Sequence, residues 1–184
     1  MKPKTSDIFI NLLAYQAAWF SCVFGAAYDR IEISYWVCAG ALILNTLTSR
    51  ARYIDWVLVL ITGVMGGLFE SLVLNEHWVI YKATSIPSIA PIWIILLWMV
   101  FGTTLNHSLH WLQTKFTLSV LFGLLGGPVA WYAGSRIGAL ELVPGPVTYI
   151  VIGLGWAILM PLLAYIAQKL NARSPLMIDS DTPL

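Results

Sequence analysis

Glu70 closes the stretch GVMGGLFE (63–70), where one carboxylate follows seven small or apolar residues. A carboxylate in so apolar a run has three uses: to move a proton, to tie two helices together, or to reach water from near the end of its segment. Arg136 closes a later apolar segment, LLGGPVAWYAGSR. If the segments alternate in direction, Arg136 falls at the depth of Glu70, with Tyr132 one turn deeper and Glu76 and His77 just above. A Glu70–Arg136 pair would offset much of the desolvation of each partner. Such a cleft would use Glu70 as acid or base and Arg136 to hold an anionic lipid headgroup. The competing use is structural, with Gly63, Gly66 and Gly67 letting two helices come close.

A second group lies in PIWIILLWMVFGTTLNHSLHW. On a continuous helix Thr103, His107 and Trp111 share a face with Thr104, and His110 sits one turn away on a neighbouring stripe. Asn11, Asn45 and Asn106 come to comparable depth. His107 is the second catalytic candidate. No metal is expected there, because two histidines without a carboxylate or cysteine at matching depth fall short of the usual three ligands. No nucleotide, flavin or phosphate-binding loop appears, so no cofactor is expected.

Nine tryptophans form the third group. Trp36, Trp56, Trp78 and Trp111 fall where interfacial belts belong, and Trp19, Trp93, Trp98, Trp131 and Trp156 lie deeper. Trp93, Trp98, Trp131, Tyr132 and Asn11 are the expected lining of a cavity for an acyl or isoprenoid chain; core packing would use the same indoles.

The elements that place these residues follow from composition. The chain has 184 residues, 59 % hydrophobic and 10 % charged, against roughly 25 % charged in a soluble domain. So few charges cannot coat a water-soluble surface, and the chain is expected to be an all-α, polytopic membrane protein. A net charge of +1 and the lack of a basic patch exclude nucleic acid as a partner. Cys22 and Cys38 lie in apolar runs, as small buried hydrophobes would. The N-terminal apolar run is too long for a signal peptide and reads as a retained first helix.

Six apolar segments reach or approach membrane-spanning length: Ile8–Ala27, Ile33–Thr48, Ile54–Leu74, Ile89–Leu112, Phe116–Ser135 and Val147–Leu170. They make one compact six-helix domain over 1–170, followed by a polar tail, 171–184, expected to be disordered. Pro128 and Pro161 each remove a helical donor and should kink their spans. With six spans, Lys2, Lys4, Arg50, Arg52, Lys115, Lys169 and Arg173 fall on one side, and Arg30, Lys82 and Arg136 on the other. Lys and Arg concentrate in the cytoplasm, so both termini are expected there.

The run PIWIILLWMVFGTTLNHSLHWL, followed by VLFGLLGGPVAWYAGSRIGAL, resembles the bacterial inner-membrane proteins grouped as domain of unknown function 2878. The resemblance spans about 8–168 and rests on Pro91, Trp93, Trp98, Phe101, His107, Ser108, Trp111, Gly126, Gly127, Pro128, Tyr132, Gly134, Arg136 and Gly138, with Asn11 and Trp19 fitting its opening. It implies a compact helical domain in the bacterial inner membrane. The family's association with lipid-modifying enzymes implies membrane lipids, and such enzymes, as partners. Three functions stay open: a lipid- or fatty-acid-modifying enzyme or its membrane subunit, a small transporter of lipids or hydrophobic solutes, and a non-catalytic scaffold. Matched internal repeats, the usual mark of a transporter, are lacking.

Overall fold

The computed structural model describes residues 3–49 and 51–173. Six α-helices run in chain order: α1 (Thr5–Ala27), α2 (Ile31–Thr48), α3 (Arg52–Asn75), α4 (Ile92–Thr104), α5 (Phe116–Ile137) and α6 (Pro146–Ala172). The fold is helical as expected, and five helices among the described residues are long and apolar enough to cross a membrane. Large apolar side chains stay exposed along them. On α3, Leu60, Val64, Leu68 and Leu72 recur every four residues as an exposed stripe. A helix facing water would be polar there, so this face belongs against lipid, and the chain is a multi-pass membrane protein.

The fourth segment departs from expectation. Instead of one helix over Ile89–Leu112, α4 stops at Thr104, and a 3-10 turn follows at His110–Leu112. Thirteen residues rise only about 20 Å, against about 30 Å of hydrocarbon. The cause is a side chain from another helix: the Ser108 N–H donates to Asn11 Oδ1 (3.2 Å), not to its own helical carbonyl. The Leu109 N–H then reaches back five residues to the Thr104 carbonyl (2.8 Å). His107 and Trp111 therefore do not share a helical face.

Two connections also hold strands where only loops were expected. β1 (Val79–Tyr81) follows α3, and β2 (Leu140–Leu142) follows α5. They pair antiparallel, Val79 opposite Leu142 and Tyr81 opposite Leu140. This ribbon ties the C-terminal ends of α3 and α5 together and turns Tyr81 inward. At the far end α6 continues through Ala172, so Asn171 is helical and not part of a tail. Lys2, Arg50 and the rest of the predicted tail, 174–184, lie outside the described residues.

Two of the close helix contacts are seated on indoles. A Cβ at Gly66 of α3 would fall 2.1 Å from the Trp98 ring of α4, and one at Gly127 of α5 would fall 2.5 Å from the Trp156 ring of α6. α5 runs on through Pro128 and α6 through Pro161. The Leu124 carbonyl, whose helical donor Pro128 removes, lies 3.1 Å from where a Gly153 Cβ would stand. Cys22 and Cys38 are buried free thiols with sulfurs 3.4 Å apart, joining α1 to α2. Gly66→Val should displace Trp98 and cost about 1–3 kcal/mol, read as a lower unfolding temperature in detergent, whereas Gly40→Val should be silent because no atom lies within 4 Å of its added Cβ.

Candidate functional site

Glu70 lies five residues before the end of α3 and is fully buried. Its carboxylate receives two donors. Trp98 Nε1–H donates to Oε1 at 2.9 Å, and the Tyr81 hydroxyl donates to Oε2. Tyr81 in turn accepts from Trp131 Nε1–H at 3.1 Å. One carboxylate thus joins α3, α4, α5 and the β-ribbon. Burial first, then the charge of Glu70, push the Tyr81 phenol well above its ordinary range, so it remains a proton donor to Glu70.

Trp98 and Trp131 also line a crevice. Tyr15 and Trp19 of α1, Phe101 of α4 and Trp156 of α6 are among its walls. Trp156 stacks on Trp98 at 4.5 Å between ring centres and meets Trp131 edge-on at 5.6 Å. Trp156 also leaves its buried indole N–H without an acceptor among the described residues, and a buried donor left so is costly. The crevice is therefore an aromatic slot, two of whose walls, Trp98 and Trp131, also belong to the Glu70 network.

Residues expected to converge do so only in part. Glu70, Trp98 and Trp131 are brought together. The Glu70–Arg136 pair does not form: Arg136 is exposed near the end of α5, and Glu70 takes its hydrogen bonds from Tyr81 and Trp98. Fixed dipoles of a phenol and an indole replace the expected guanidinium. Tyr132 points outward, about half exposed. Trp93 is buried beside the slot, packed edge-on against Tyr81 and donating to the Lys82 carbonyl at 3.0 Å. Glu76 and His77 are exposed. Tyr81 was missed because VIY reads as an interfacial loop; its pairing register with β2 turns it inward.

Asn11 belongs to a separate polar cluster at the opposite end of the bundle. Its amide donates to Asn45 Oδ1 (2.7 Å) and Thr103 Oγ1 (2.9 Å), and its oxygen accepts from the Ser108 hydroxyl (2.6 Å). His107 lies in this cluster too, buried, with Nδ1 at 2.8 Å from the Thr103 carbonyl. Contrary to expectation, a carboxylate does sit at its depth: Asp55 Oδ2 is 3.9 Å from His107 Nε2. Asp55 is in the first turn of α3, and its other oxygen accepts from Asn106 at 2.6 Å. Among the described residues no group of three or more histidine, cysteine or acidic side chains comes together as a metal site would require.

A family model described as Protein of unknown function (DUF2878) matches residues 8–162. The chain belongs to this family. The matched span takes in Glu70, Tyr81, Trp98, Trp131 and Trp156, together with Asn11, Asp55 and His107, so both clusters lie inside the family's domain. No curated protein and no solved structure matches the chain.

Proposed function

We propose that this protein binds an apolar lipid, an acyl or isoprenoid chain, in the aromatic slot, and that Glu70 exchanges a proton with the lipid's polar end while Tyr81 holds the carboxylate in place. The observation that carries the reading is that the residues bonded to Glu70 are the slot's own walls: Trp98 touches the carboxylate directly, and Trp131 reaches it through Tyr81. Ionisable groups buried at membrane depth are costly and are kept where they do work. Mostly apolar walls with a few fixed polar groups are the usual make-up of a small-molecule site. Arg136 has no part in this site.

The test is photolabelling in membranes with a diazirine-bearing fatty acid and a diazirine-bearing isoprenoid alcohol. Labelled peptides should come from α4 and α5 around Trp98 and Trp131. Ala130→Phe, which adds bulk to the wall of the slot, should lower labelling about tenfold while leaving the unfolding temperature near wild type. Equal labelling of this variant and the wild type would sink the reading.

The same reading places the protein in the bacterial inner membrane with six crossings, the fourth made by α4 together with the turns that follow it. Both termini then face the cytoplasm. Lys4, Arg52, Lys115, Lys169 and Arg173 lie at or near the Asn11 end of the bundle, and Arg30, Lys82 and Arg136 at or near the ribbon end. A reporter that matures only in the cytoplasm should give signal when fused after Leu184 and none when inserted at Lys82. The reverse pattern would overturn the orientation.

A further inference from the structure

At the Asn11 end, Asp55 leaves Oδ2 buried and without a hydrogen-bond partner among the described residues. The residue is only 6 % exposed. Asp55 lines a second, small cavity, together with Asn45 and Thr46 of α2, Trp56 and Val59 of α3, and Thr103 of α4. The two threonine hydroxyls here, and one of the two amide protons of Asn45, are already used elsewhere. Thr46 donates its hydroxyl to the Leu42 carbonyl (2.8 Å), Thr103 to the Val100 carbonyl (2.7 Å), and Asn45 its amide to the Ala41 carbonyl (2.7 Å). Asn45 Oδ1 and Thr103 Oγ1 each accept from the Asn11 amide as well, so each keeps one oxygen lone pair to offer, beside those of the Thr46 hydroxyl.

His107 adds to the imbalance. Its Nδ1 faces the Thr103 carbonyl, which can only accept, so Nδ1 carries the ring proton. Its Nε2 stands 3.9 Å from Asp55 Oδ2, beyond hydrogen-bond distance. Asp55 Oδ2 thus has no donor at bonding distance among the described residues, and the cavity beside it is edged with further oxygen acceptors. Such a site rejects anions and lone-pair ligands and calls for a positive charge or a strong donor.

We infer that the cavity between α2, α3 and α4 at Asp55 is a binding site for a small monovalent cation, either Na⁺ or a primary ammonium. Asp55 Oδ2 supplies the charge, and Thr46, Thr103 and Asn45 supply neutral oxygens. The half-exposed Trp56 leaves the site open at the side of the bundle. An ammonium can therefore come from a lipid headgroup as well as from solution.

The experiment is thermal unfolding of the purified full chain in mild detergent, with choline chloride holding ionic strength constant. Choline has no N–H and is too bulky for the cavity. NaCl or methylammonium chloride should raise the unfolding temperature saturably by about 2–4 °C, where choline does not. A response to Na⁺ alone identifies an inorganic cation. A response to methylammonium alone identifies an amine, and nanodiscs of phosphatidylethanolamine against phosphatidylcholine then separate a headgroup from a free amine. Asp55→Asn should abolish the response. Thr46→Val, at a half-buried position whose own hydroxyl bonds only within α2, should weaken the cation's half-saturation several-fold and keeps the test open if Asp55→Asn does not fold. No shift beyond choline, an undiminished response in Asp55→Asn, or an unchanged one in Thr46→Val would each overturn the site.

Discussion

Glu70→Ala is expected to lower stability by about 2–5 kcal/mol. The loss has two sources. Tyr81 and Trp98 are left as buried donors without an acceptor, each at about 1–3 kcal/mol, and a void opens where α3, α4 and the ribbon meet. Glu70→Gln should cost far less, because its amide oxygen still accepts from Trp98 and its amino group can donate to the Tyr81 oxygen. The two variants therefore separate structure from chemistry. If Glu70 is an acid or base, Glu70→Gln folds, takes up the photoreactive lipid and still fails to restore cellular lipid composition in a deletion strain. If Glu70 is only structural, Glu70→Gln restores that composition fully. Arg136→Ala should leave both stability and lipid composition unchanged, because its exposed side chain has no hold on Glu70. The double change Glu70→Leu with Tyr81→Phe should not recover stability, as removal of both members of a simple buried pair often does. It strands the indole N–H groups of Trp98 and Trp131, which the carboxylate and phenol satisfy in the wild type.

Much of this architecture was legible in the sequence because hydrocarbon imposes simple rules. Long apolar runs mark helices, and α1, α2, α3, α5 and α6 differ from their expected ends by only a few residues. Glu70 announced itself as a charge where charges are expensive, and Trp98 and Trp131 as indoles too deep for an interfacial belt. What was not legible depends on which side chain meets which across helices. Arg136 was assigned to Glu70 by depth alone, yet depth does not fix rotation about the helix axis, and Arg136 faces outward. Tyr81 could not be found from a period, since a three-residue strand has none to read; its inward turn comes from pairing with β2. Asp55 was overlooked because it stands near the start of its helix, where an acid ordinarily serves the helix dipole in water. Here α2 and the turns after α4 cover it. The break in α4 was hidden for a related reason. GTTLNHSLHW has no proline, its one glycine lies inside α4, and the acceptor that stops the helix belongs to Asn11, almost a hundred residues earlier.

That dependence makes Asn11 the second site of large effect. Asn11→Leu is expected to cost about 3–5 kcal/mol, more than an isolated buried asparagine would. The side chain satisfies four groups at once: Asn45 Oδ1, Thr103 Oγ1, and the N–H and hydroxyl of Ser108. Leucine fills a similar volume and meets none of them. Asn11→Asp retains the acceptor for Ser108 but turns a second oxygen toward Asn45 Oδ1 and Thr103 Oγ1, so acceptor meets acceptor, and it should be nearly as damaging. Ser108→Ala removes only one side of the junction and should cost about 1–2 kcal/mol. Coupling between Asn11→Leu and Ser108→Ala should be strong, because the second substitution deletes a hydroxyl that the first already leaves unpaired. The loss should also have a location. Hydrogen exchange over 105–113 should quicken in Asn11→Leu, since that stretch is held by irregular turns and by the bond from Ser108, while exchange in the middle of α5 and α6 rises only with the global loss. A lipid-binding Asn11 predicts otherwise: Asn11→Leu would keep wild-type stability and wild-type protection over 105–113, and lose photolabelling alone. The geometry favours the first outcome, because Asn11 already has an intramolecular partner for each hydrogen-bonding direction its amide needs.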